Sequence, residues 1–122
     1  MITYNKVDDL EEIVVGDLIT LDGDNRATRS FYDDTEYAYA QNVVGVCVSV
    51  ENDIIGVETF GVNTINTIGD IDNGQLFTLS REPGKVRLLQ YAEQEQIPNI
   101  KVYGQILQKI GDNKAVAQLS IK

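Results

Sequence analysis

Asn42-Val43-Val44-Gly45-Val46-Cys47-Val48-Ser49-Val50-Glu51-Asn52-Asp53-Ile54-Ile55-Gly56-Val57-Glu58-Thr59-Phe60 decides the fold class. β-Branched side chains favour the extended, pleated backbone. Two runs of them flank Glu51-Asn52-Asp53, a polar trio able to reverse the chain, so the stretch predicts a β-hairpin. Valines 44, 46, 48 and 50 alternate onto one face, leaving Val43, Gly45, Cys47 and Ser49 on the other. The second face is small and uncharged, which suits a place under another layer or a neighbouring subunit. Cys47 is the only cysteine. It excludes an internal disulfide, makes an intracellular site of synthesis the default, and inside a strand serves as a small hydrophobe.

Outward from this hairpin, a more polar version returns as Lys101–Leu107, Gly111-Asp112-Asn113 and Ala115–Ile121. The repetition goes further. Gly16-Asp17-Leu18-Ile19-Thr20-Leu21-Asp22 matches Gly74-Gln75-Leu76-Phe77-Thr78-Leu79-Ser80 at an offset of 58 residues, and Val44-Gly45 matches Tyr103-Gly104 at 59. The chain therefore reads as two copies of strand, turn, strand, long excursion and hairpin, with halves at about 13–60 and 71–121. Asp22-Gly23-Asp24-Asn25 and Pro83-Gly84 are turns, because these residues tolerate positive φ or bond their own backbone. Gly61 to Asn73 is a polar connector with one irregular or edge strand. The acidic stretch 1–12 reads as an extended arm or a short helical turn. Gln90 to Gln96, ended by Pro98, is the best helical candidate. The expected architecture is all-β: an N-terminal arm, 1–12, and one barrel or sandwich domain, 13–122, built from two related halves, with short helical turns at most.

Composition narrows the function. At 122 residues the chain makes one domain able to bury a core without metal or disulfides. Its net charge is −9, and its ten Lys and Arg are scattered singly. Neutralising phosphates needs clustered cations, so neither nucleic acid nor an anionic membrane is expected as a partner. Met1-Ile2-Thr3-Tyr4-Asn5-Lys6 is not expected to act as a signal peptide, and no apolar run approaches membrane-spanning length. Histidine is absent, which removes the commonest general base and the commonest zinc ligand together. Serines 30, 49, 80 and 120 have no neighbouring base, and no glycine-rich phosphate loop occurs. The carboxylate pairs Asp33 with Asp34 and Glu93 with Glu95 have no fixed separation in the sequence and read as solvated. Asp22-Gly23-Asp24 and Asp70-Ile71-Asp72-Asn73-Gly74 resemble fragments of calcium loops. The required sixth-position glycine and twelfth-position glutamate are Ala27 and Asp33 in the first, Gln75 and Arg81 in the second, so both are plain turns. The expectation is a protein that is not an enzyme and holds no cofactor or metal.

One cluster does suggest interaction. Phe31, Tyr32, Tyr37 and Tyr39 stand among acidic residues, and tyrosine joins apolar area to a polar handle. The rings suit a protein interface, and they equally suit pinning the excursion onto the domain. Stacking on a sugar or base is a third use, disfavoured by the acid around the rings.

The succession Gly16–Leu21, Val43–Val46, hairpin, Gly74–Leu79, Pro83–Val86, Val102-Tyr103-Gly104 and Val116–Ile121 resembles small β-rich phage virion proteins. The resemblance is to capsid-decorating (cementing) proteins and related tail-appendage modules. It implies a non-enzymatic protein, made in the bacterial host cytoplasm and located in the virion. It also implies a homo-oligomer, commonly a trimer, that binds the major capsid or another virion protein through arms and barrel edges. Thr20-Leu21-Asp22-Gly23-Asp24 is also similar to self-cleaving modules of phage fibres, whose serine or base has no counterpart here. The rival reading is a carbohydrate- or receptor-binding β-module of a phage tail or cell-surface assembly, acting through the Phe31–Tyr39 excursion.

Overall fold

The computed structural model of the protein describes residues 1–8, 11–30, 43–90 and 102–121. Among these there is no helix, and hence none long and apolar enough to cross a membrane. Ten strands form: β1 (Ile2–Asn5), β2 (Leu18–Leu21), β3 (Ala27–Arg29), β4 (Val43–Glu51), β5 (Ile54–Glu58), β6 (Phe60–Asn66), β7 (Leu76–Leu79), β8 (Val86–Leu88), β9 (Gly104–Gly111) and β10 (Lys114–Ser120). They make two five-stranded sheets in the orders β1-β5-β4-β2-β3 and β6-β10-β9-β7-β8, every pairing antiparallel. The all-β, two-halved architecture read from the sequence is the one observed. Of the helical candidate Gln90 to Gln96, Gln90 is described and is in no helix, and 91–96 lie outside the described residues.

Adding five to each strand number turns the first order into the second. The hydrogen bonds repeat as well. Gly16 N–H donates to the Cys47 carbonyl at 2.8 Å, and Gly74 N–H to that of Ile106 at 2.7 Å. Cys47 N–H donates to the Asp17 carbonyl and Ile106 N–H to that of Gln75, both at 2.8 Å. Each sheet also curls until its two edge strands meet through one parallel bridge at their ends, Lys6 with Ala27 and Thr67 with Val86. Each half is thus a small barrel-like unit. The stretch read as an arm carries β1, paired with β5 from Ile2–Val57 to Asn5–Ile54, in the place that β6 holds in the second unit. The polar connector contains the edge strand expected of it, β6.

Local chemistry explains the hairpins. Asn52 takes the left-handed conformation, φ 54°, that lets a two-residue turn join β4 to β5. The strict alternation expected along β4 does not occur. The register against β2 shifts between Ile19–Gly45 and Thr20–Val43, so Val44 is an extra, bulged residue. A second shift against β5 falls between Cys47 and Ser49. Val43, Val46 and Val48 consequently point to the second unit, joining Leu18, Tyr103, Phe77 and Leu119 in the larger core. Val44 and Cys47 point instead into the first unit's own core with Ile13, Ile19, Ile55 and Val57. The bulges put apolar side chains on both faces of β4, which is why that strand reads as a nearly continuous apolar run.

Candidate docking surface

The two units meet through a junction of named polar groups. Gly16 and Asp17 precede β2, and Asn66 ends β6. Asn66 N–H donates to the Gly16 carbonyl at 2.9 Å, and its Nδ2 donates to the Val15 carbonyl at 3.1 Å and to Asp17 Oδ1 at 2.8 Å. Asp17 Oδ2 accepts Val14 N–H at 3.0 Å. The tip of the β7–β8 hairpin enters beside them. Leu18 N–H donates to the Gly84 carbonyl at 2.9 Å, and Gly84 N–H donates to that of Ser30 at 2.7 Å. Gly84 has φ +81°, and a Cβ there would run into the Asp17 side chain, so only glycine fits both demands. Burial raises the Asp17 carboxyl above its ordinary range, opposed by the Val14 and Asn66 hydrogen bonds and by the charges of Arg29 and Lys85.

Away from the junction, the outer face of the second sheet is open. On edge strand β6, Phe60 is 76% and Val62 59% exposed. Across the ladder, Phe60 faces Ser120, Val62 faces Gln118, and Thr64 faces Val116. None of these six carries a charge, on a chain whose net charge is −9. An uncharged stripe with an aromatic anchor resembles the depleted-charge centre of a protein interface more than a solvated face.

The remaining candidates have these fates. Phe31, Tyr32, Tyr37 and Tyr39 lie outside the described residues, as do Asp33, Asp34, Glu93 and Glu95. Among the described residues no group of three or more His, Cys, Asp or Glu converges to hold a metal ion. The Asp22 turn is closed by its own carboxylate: Oδ1 accepts Asp24 N–H and Arg26 N–H, both at 2.9 Å, while Oδ2 accepts Arg26 Nε at 3.1 Å. The backbone bond from Arg26 comes first among the causes that lower the Asp22 carboxyl below its ordinary range. Cys47 is fully buried, its thiol pushed up to about 11 by that burial. Such a thiol packs and does not attack. An open cleft of about 340 Å3 is lined by Asp70, Asp72, Gln75, Leu88, Leu89 and Gln90.

No protein-family model, no curated protein and no solved structure matches the chain.

Proposed function

We propose that the protein is a non-enzymatic structural component of a phage or prophage virion, a decoration protein that oligomerises, commonly as a trimer, and binds coat subunits. The observation that carries this reading is the uncharged stripe of Phe60, Val62, Thr64, Val116, Gln118 and Ser120 on an otherwise acidic chain. Among the described strands edge strand β6 pairs with β10 alone, and only its last residue, Asn66, is taken up at the junction, so an extended coat segment can add beside Phe60 to Thr64 while Phe60 and Val62 supply apolar anchors. Acidity elsewhere keeps the free protein dispersed until its lattice forms. The resemblance of the strand and glycine succession to decoration proteins supports the same assignment.

Cosedimentation with assembled coat shells tests it. Wild type pellets with the shells, and Phe60→Asp with Val62→Asp weakens that binding at least about 100-fold, in line with losing two buried apolar anchors. Both side chains are exposed, so thermal unfolding should stay within about 2 °C. Absence of pelleting, or pelleting untouched by the double substitution, contradicts the assignment. Saturable glycan binding in its place would favour a carbohydrate-binding module.

A further inference from the structure

The junction described above is one-sided. The second unit inserts a corner, Asn66 with Gly84, into a socket on the first, made by Gly16-Asp17, the Leu18 N–H and the Ser30 carbonyl. Because the units are copies, each possesses a corner and a socket. The first unit's corner is Asn5 with Asn25. Asn5 occupies the position in β1 that Asn66 holds in β6, as the ladders Asn5–Ile54 and Asn66–Lys114 show. Asn25, at φ 59°, stands two residues before the third strand of its unit as Gly84 does. Its N–H donates to the Asp22 carbonyl of its own turn at 3.1 Å, which leaves its carbonyl for a socket, and its side chain would lie against exposed Gln75, not against a buried, bonded Asp17. Yet Asn66 is only 7% exposed, whereas Asn5 and Asn25 are exposed.

The second unit's socket is Gly74-Gln75, the Leu76 N–H and the Leu89 carbonyl. Its ladder matches: Ser30 N–H donates to the Leu18 carbonyl, and Leu89 N–H to that of Leu76, both at 2.9 Å. Among the described residues no backbone group stands between Leu76 and Leu89 as Gly84 stands between Leu18 and Ser30. At that place lies the open cleft of Asp70, Asp72, Gln75, Leu88, Leu89 and Gln90. The apolar surround is bare too. Val43 and Val48 pack against the second unit, while their counterparts Val102 and Leu107 are 37% and 43% exposed.

We infer that this cleft receives the Asn5 and Asn25 corner of a second copy of the chain, repeating between chains two bonds made within one: Leu76 N–H to the Asn25 carbonyl, as Leu18 N–H to that of Gly84, and Asn5 N–H to the Gly74 carbonyl, as Asn66 N–H to that of Gly16. Charge fits the occupant. Arg26, which corresponds to Lys85, would arrive beside Asp70 and Asp72. Exposed Gln105 now holds the Gly74 carbonyl through Nε2 at 2.8 Å. It would give way to Asn5 N–H at small cost, since its amide returns to water. The contact is heterologous, corner to socket, so each chain uses two different surfaces and successive chains form a ring or an open string. This inference rests on the internal repeat and not on the virion reading, and the shell experiment can fail while it holds.

Sedimentation equilibrium of the full chain, with two variants, tests it. Wild type should give a concentration-dependent mass at a multiple of 13.5 kDa. A corner variant, Asn5→Asp with Arg26→Glu, places acid against the acidic cleft. A socket variant, Gln75→Trp, fills the cleft. Each should remain at 13.5 kDa alone, and the two mixed should give a one-to-one complex that stops at two chains. All three positions are exposed, and unchanged thermal unfolding confirms folding. Wild type that stays at 13.5 kDa throughout, single variants that assemble like wild type, or a mixture that does not complement would each overturn the inference.

Discussion

Gly45→Ala and Gly104→Ala should each lower stability by about 3 kcal/mol, a fall of roughly 10 °C in the unfolding midpoint. The two glycines are counterparts, one in each unit. A Cβ on Gly45 would collide with the Glu58 carbonyl, and one on Gly104 with the Gln118 carbonyl. Val57 Cγ1 and Phe77 Cζ also stand 2.7 Å from the respective added carbons. The collisions are with the neighbouring strand's backbone, which cannot turn aside like a side chain. Only opening the β4–β5 or the β9–β10 ladder relieves them. Gly23→Ala is the control, with nothing within 4 Å of its Cβ, and should move stability by no more than about 0.5 kcal/mol. Chemical denaturation of the three variants checks this. A Gly45→Ala protein as stable as Gly23→Ala would mean that the strand approach described here is wrong.

The second large effect belongs to the join between units. Asp17→Ala removes the acceptor of both Val14 N–H and Asn66 Nδ2 in a buried place, and about 3 kcal/mol should be lost. The pH dependence follows from the raised carboxyl. Folded Asp17 takes up its proton at a higher pH than the unfolded chain does. The stabilisation linked to that proton is complete below the ordinary value of 3.8 and is lost as pH rises through the raised native value. The margin of wild type over Asp17→Ala should therefore widen as the solution is acidified and level off below that value. Urea titrations of both proteins across this window measure it. A margin that shrinks in acid would show that the hydrogen bonds, and not burial, govern this carboxyl.

The sequence made much of this fold legible, for a physical reason. Each unit's hairpin carries β-branched runs around a polar turn, and Gly16/Gly74 and Gly45/Gly104 sit where only glycine serves. Those positions survive duplication because steric demands are strict. The correspondence of β1 with β6 escaped because it rests on Thr3/Thr64 and Asn5/Asn66, and the polar face of an edge strand leaves composition nearly free. Bulges at Val44 and between Cys47 and Ser49 escaped as well, since alternation gives no sign of an inserted residue. For the surface, the aromatic excursion drew attention by composition. Phe60 and Val62 did not, because an alternating Phe-Gly-Val-Asn reads like any half-buried strand until the sheet shows which face is covered. The role of Asn66 depends on a partner 50 residues away, and no local pattern announces that.

Amide hydrogen exchange at Leu18 and Leu76, followed by NMR from dilute to concentrated solution, tests the central claim most directly, namely that of two equivalent sockets one is filled by the chain's own corner and the other, among the described residues, receives no such corner. Leu18 N–H, held by the Gly84 carbonyl, should be slow at every concentration. Leu76 N–H should exchange quickly in the dilute sample and slow at least about tenfold as chains meet. Equal protection of the two amides in the dilute chain, or a Leu76 rate indifferent to concentration, would contradict the account.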